Sequence, residues 1–99
     1  MKKLTPRMLA EQKRIEQELS EIPTAGNLKK LLSLDGFVDY YLEMREVYAT
    51  HLEAYEALET HYERITGRRR YSEFHSFRVS LDRYIALLKL RTRTDVKIV

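Results

Sequence analysis

Cysteine is absent from the 99-residue chain. That excludes disulfide stapling, thiol chemistry and thiolate metal sites, and it suits a cytoplasmic protein. Glycine and proline are scarce, at three and two residues. So few breakers fit helices joined by short connections better than a sheet-rich or disordered chain. No apolar run approaches the roughly 20 residues needed to cross a bilayer. The opening stretch, MKKLTPRMLAEQKR, has lysines but no apolar segment behind them, so it is not expected to act as a signal peptide. The length predicts one small domain, in which a long helix can need a partner chain to cover it.

The formal net charge of +3 hides an asymmetry. Residues 36–66 carry two basic and seven acidic side chains, whereas residues 67–99 carry nine basic and three acidic. Acidic and basic segments are therefore neighbours along the chain.

Thr5 and Pro6 form a helix start, with threonine as cap and proline at the first helical position. Helix 1 is expected over 6–20, and Ile22-Pro23 should end it. After a joint at 23–26, four leucines within 28–34 predict a short packed helix. Four tyrosines then recur at seven-residue spacing: Tyr41, Tyr48, Tyr55 and Tyr62. Together with Phe37, Met44, His51, Leu58 and Ile65 they alternate at four and three residues without interruption. This predicts one long helix over 37–65, ended by Gly67. Its apolar stripe is wide enough for a bundle rather than a narrow coiled-coil seam. A further helix is expected over 73–91, capped by Ser72, with Phe74, Phe77, Leu81 and Leu88 on its buried face. The short joint between them predicts an antiparallel C-terminal hairpin. The fold class is thus all-α: a small helical bundle with one long central helix packed against shorter ones. The domain is expected to span 1–93, leaving 94–99 as a tail or packing arm.

Two interaction surfaces suggest themselves. A tyrosine brings a large apolar ring and a hydroxyl that needs a partner, so a tyrosine ladder suits an interface edged by water or polar groups. Tyr41, Met44, Tyr48, His51 and Tyr55 are the candidate protein contacts, with His51 expected to be partly buried in the seam. Arg68, Arg69 and Arg70 stand at a helix start, where guanidinium groups and backbone amides favour phosphate; Tyr71 could stack on a base and Arg78 extends the basic surface. Against this stands the alternative that Arg78 and Arg83 pair with Glu53, Glu56, Glu59 and Glu63 across the two long helices.

No enzyme signature is present. The three glycines form no phosphate loop, the serines have no nucleophile-elbow context, and the histidines fit no metal-binding spacing. Glu56, Glu59 and Glu63 could gather a divalent ion, but a solvated acidic helix face explains the row. No catalytic residue, metal or cofactor is expected. The expected function is a non-enzymatic protein–protein interaction, with a second copy or another protein as partner. The alternative is association with nucleic acid through the Arg68–Arg70 joint and the basic segment after it, and no membrane partner is expected.

Overall fold

The computed structural model describes residues 3–22 and 25–98, and is all-helical among them. Five helices follow in order: α1 (Pro6–Ser20), α2 (Ala25–Leu32), α3 (Leu34–Val47), α4 (His51–Thr66) and α5 (Phe74–Ile98). They pack as a small helical bundle. Helix α1 keeps the expected bounds. The Thr5 hydroxyl accepts from the Met8 amide at 3.2 Å, and Pro6 holds the first turn. Pro23 and Thr24 of the expected joint lie outside the described residues. Helix α2 starts three residues earlier than expected and ends at Leu32, because Ser33 turns the chain and caps α3 through the Gly36 amide.

The expected long helix over 37–65 is two helices. Tyr48 leaves the helical region (φ −112°, ψ 157°), and Thr50 restarts it by accepting the Glu53 amide at 3.1 Å. The two halves then fold back on one another. Phe37 near the start of α3 meets Tyr62 near the end of α4 with ring centroids 5.6 Å apart. A continuous helix would separate those residues by about 37 Å. The seven-residue spacing survives because each arm of the hairpin turns the same stripe inward. A core forms from Phe37, Tyr40, Tyr41 and Met44 on α3 with Ala54, Tyr55 and Leu58 on α4. Ile15 and Leu19 of α1, together with Ile22, join the same core.

The expected antiparallel C-terminal hairpin also differs. Helix α4 ends as expected at Gly67, whose left-handed conformation (φ 90°) lets its amide reach the Glu63 carbonyl at 2.8 Å. Residues 68–73 then run back along α4, from its last turn toward Tyr55 near its first. Helix α5 therefore begins beside Tyr55, which meets Phe74 and Phe77 with centroids 5.3 and 5.1 Å apart. Ser72 is not the residue next to the helix, which starts at Phe74. At its other end, α5 continues through the expected tail to Ile98.

Gly36 sets the distance between α2 and α3. A methyl group there would lie 1.7 Å from the Lys30 carbonyl oxygen, inside backbone that cannot yield as a flexible side chain could. Gly36→Ala should cost about 1–3 kcal/mol by overpacking, measured as a lower midpoint in urea. The opposite sign is expected at Tyr40, whose ring is fully buried but whose hydroxyl has no hydrogen-bond partner among the described residues. Burial, with Glu18 and Glu43 adding to it, pushes this phenol up to about 12. The unfolded chain ionises first, so stability is full below about pH 10 and falls as pH rises toward 12. Tyr40→Phe should leave stability at pH 7 equal or higher and flatten that alkaline loss in melting curves taken from pH 8 to 12.

Candidate functional site

Glu59 is the one charged side chain buried among the described residues, with no exposed surface. One carboxylate oxygen accepts the Arg70 amide at 2.8 Å; the other accepts the Tyr71 amide at 2.9 Å and the Tyr55 hydroxyl at 2.5 Å. Such an arrangement meets the cost of burying the charge, since both oxygens are hydrogen-bonded. It also fixes two consecutive amides of the 68–73 joint against the middle of α4. The Tyr55 phenol is raised well above its ordinary range, first by burial and then by its bond to Glu59.

The arginines complete the joint in three different ways. Arg69 grips Glu56 with both terminal nitrogens at 2.9 Å and donates through Nε to the Tyr71 carbonyl at 3.0 Å. The Arg69 guanidinium holds the Glu56 carboxyl below the usual carboxylate range. Arg70 reaches the Leu32 carbonyl at the end of α2, at 2.9 Å, and lies 5.4 Å from the centre of the Phe37 ring. A cation at a helix C-terminus is favoured by the unpaired carbonyls there. Arg68 is exposed, and its guanidinium has no partner among the described residues. Tyr71 is not positioned to stack on a base: its ring packs on Phe37 and Phe77, and its hydroxyl is 3.0 Å from Ser80. Arg78 sits over the Phe74 ring at 5.9 Å rather than pairing with an α4 carboxylate. Of the four expected acidic partners, Glu56 is answered by Arg69 of the joint, and Glu59 by backbone amides and a tyrosine. The joint folds back over α4 before α5 begins, so it reaches these carboxylates first.

The candidate protein contacts are mostly interior. Tyr41, Met44 and Tyr55 are buried, and Tyr48 nearly so. Tyr41 packs edge-on against Phe77 at 4.8 Å, so α5 covers it. The Tyr48 hydroxyl donates to Glu16 of α1, whose other oxygen is 2.5 Å from His61 Nε2. Arg64 donates to the Leu19 carbonyl at 2.8 Å, which ties α1 to α4 a second time. His51 is exposed rather than part of the seam, because it is the first residue of α4 and its turn opens outward. The ladder is therefore corrected from a surface to the core of this chain.

A different surface emerges on α5. Leu87, Leu88 and Leu90 are 62, 40 and 60% exposed. They flank a groove of 520 Å³ whose other walls are Leu34, Asp35, Tyr84 and Arg91. The Asp35 carboxylate beside Tyr84 raises the phenol above its ordinary range. Sequence reasoning missed this groove, although a signal exists. Leu87 and Leu90 fall off the line of Phe74, Phe77, Leu81 and Leu88, so the apolar surface of α5 is wider than one buried face needs.

Two substitutions separate the buried and exposed carboxylates. Glu59→Ala strands two backbone amides and the Tyr55 hydroxyl, and should cost about 3 kcal/mol or more. Glu56→Gln removes a partly exposed ion pair and should cost only about 0–1 kcal/mol. The Glu56 share should be present at pH 7 and vanish as pH falls through the acid range, since its carboxyl is depressed in the folded chain. Urea titrations at pH 7 and pH 3 measure both differences. No protein-family model, curated protein or solved structure matches the chain.

Proposed function

We propose that the chain is a non-enzymatic, self-associating helical protein, whose contact surface is the groove between α5 and the start of α3. The observation that carries this reading is the cluster of Leu87, Leu88 and Leu90, exposed together beside that groove. Clustered apolar surface of this kind marks an association site, whereas single exposed leucines do not.

A second copy is the partner that best suits the chemistry of the rim. A two-fold interface uses the same patch on both subunits, so the patch must be complementary to itself. The lining of this patch includes both an acid and a base, Asp35 and Arg91, beside apolar side chains. Asp39 adds a second carboxylate close to Tyr84. Two copies related by a two-fold axis would set each Arg91 toward the partner's acidic edge while the leucines meet at the centre. The larger charge pattern, acidic over 36–66 and basic over 67–99, favours the same mutual arrangement. The buried tyrosines then serve to hold the surface in shape rather than to make contact. No helix among the described residues is long and apolar enough to cross a membrane. A cysteine-free chain of this kind suits the cytoplasm, which is where we place its activity.

Sedimentation equilibrium should show a dimer of the 11.9 kDa chain at high micromolar concentration. Leu87→Glu with Leu90→Glu should shift the population to monomer, with at least a tenfold weaker dimerisation constant and an unchanged circular dichroism spectrum. A wild-type chain that stays monomeric throughout that range rules the reading out.

A further inference from the structure

Independently of self-association, we propose that the cleft beneath the 68–71 joint binds a phosphate group, held by the guanidiniums of Arg68 and Arg70. The cleft measures 690 Å³ and is walled by Leu32, Tyr62, Thr66, Tyr71 and the three joint arginines. Of the three guanidiniums in the cleft, only that of Arg69 is answered by a carboxylate among the described residues. Glu56 takes the Arg69 guanidinium, while Glu59 takes the Arg70 and Tyr71 amides and no guanidinium. The side-chain charges of Arg68 and Arg70 therefore have no carboxylate partner among the described residues.

The two arginines differ in a way that suits capture. Arg70 is held in place: one nitrogen donates to the Leu32 carbonyl, and the guanidinium lies 5.4, 5.9 and 5.9 Å from the ring centres of Phe37, Tyr62 and Tyr71. That single bond engages one of its five N–H donors, so a planar fork stands ready at a fixed position. Arg68 is exposed and supplies a second, movable arm. Guanidinium forks match the spacing of phosphate oxygens, and a prepositioned fork loses less freedom on binding. Carbonyl and ring contacts hold Arg70 without neutralising it, which a purely structural tie through a carboxylate would have done. Tyr71 narrows the ligand class. Its ring is committed to Phe37 and Phe77 and its hydroxyl to Ser80, and the Tyr62 ring on the cleft wall is edge-on to Phe37 and already lies under the Arg70 guanidinium, so neither ring is a free platform for a base. Recognition is of the phosphate itself, as a free anion or as the terminal group of a small phosphorylated molecule.

The test is an amide-resolved NMR titration of the full chain with inorganic phosphate and with pyrophosphate, at ionic strength held constant with sodium chloride. Saturable shifts centred on residues 66–71 are expected, with pyrophosphate the tighter of the two. Arg68→Gln removes a side chain that supports nothing in the fold, and should weaken binding at least fivefold without lowering the melting temperature. Arg70→Lys keeps the charge but loses the fork, and should also weaken it. Should Arg70→Lys disturb the fold, Arg68→Gln decides alone. Shifts that grow linearly, or that Arg68→Gln leaves unchanged, overturn the site. A duplex oligonucleotide that binds more tightly than pyrophosphate, and depends on Arg78 and Arg83 but not on Arg68, also overturns it, in favour of a nucleic-acid surface on α5.

Discussion

The buried Glu59 carboxylate decides where the second half of the chain goes. Left in water, residues 68–73 would be an ordinary exposed connection. Bound through two amides to the middle of α4, they are drawn back along that helix toward Tyr55. Helix α5 consequently starts beside the first turn of α4, and Phe77 enters the core among Phe37, Tyr41, Tyr55, Tyr71 and Phe74. With 25 residues, α5 is about 37 Å long. Phe77 and Leu81 are buried, whereas Leu87 and Leu90 remain exposed. One internal carboxylate thus accounts for both the aromatic centre and the uncovered apolar groove.

The tyrosines show how polar and apolar demands are met together. A leucine seam would fill the same space, but it could not tie helices at their edges. Tyr55 delivers a hydroxyl to Glu59, Tyr48 to Glu16 and Tyr71 to Ser80, each from a ring that also packs in or against the core. Their hydroxyls find partners within the chain, so the ladder need not lie at a subunit boundary. Tyr40 is the exception, with an interior hydroxyl and no partner among the described residues. Its ring packs under the Lys30 ammonium at 4.3 Å, which gives the position an aromatic role without using the oxygen.

Much of this was legible in the sequence, and the misses have physical causes. Thr5-Pro6 marked the start of α1, because a cap acts within a few residues. Gly67 likewise ended α4. The break at 48–50 was hidden because periodicity registers which side chains turn inward, not whether the axis continues. Both arms of a helical hairpin bury the stripe, and here the restart kept its phase. A local signal was present all the same: Thr50 and Glu53 stand at the spacing of a capping box, and Thr50 does cap α4. The arginine joint was only half legible for a different reason. Its composition suits an external anion, but an internal carboxylate from eleven residues earlier took its amides. Charge counting along the chain cannot distinguish an anion in solution from one supplied by the fold.

The link from Arg70 to Leu32 also bears on how the chain folds. Helix α2 has eight residues, too few to persist alone in water. Its last turn is secured by a side chain 38 positions away, in the joint that Glu59 organises. The short helix is thus completed by a contact that exists only once the α3–α4 hairpin has closed and the joint has settled on it. Together with the packing of Leu31 in the core, this guanidinium ties the N-terminal and C-terminal halves of the folded chain to one another.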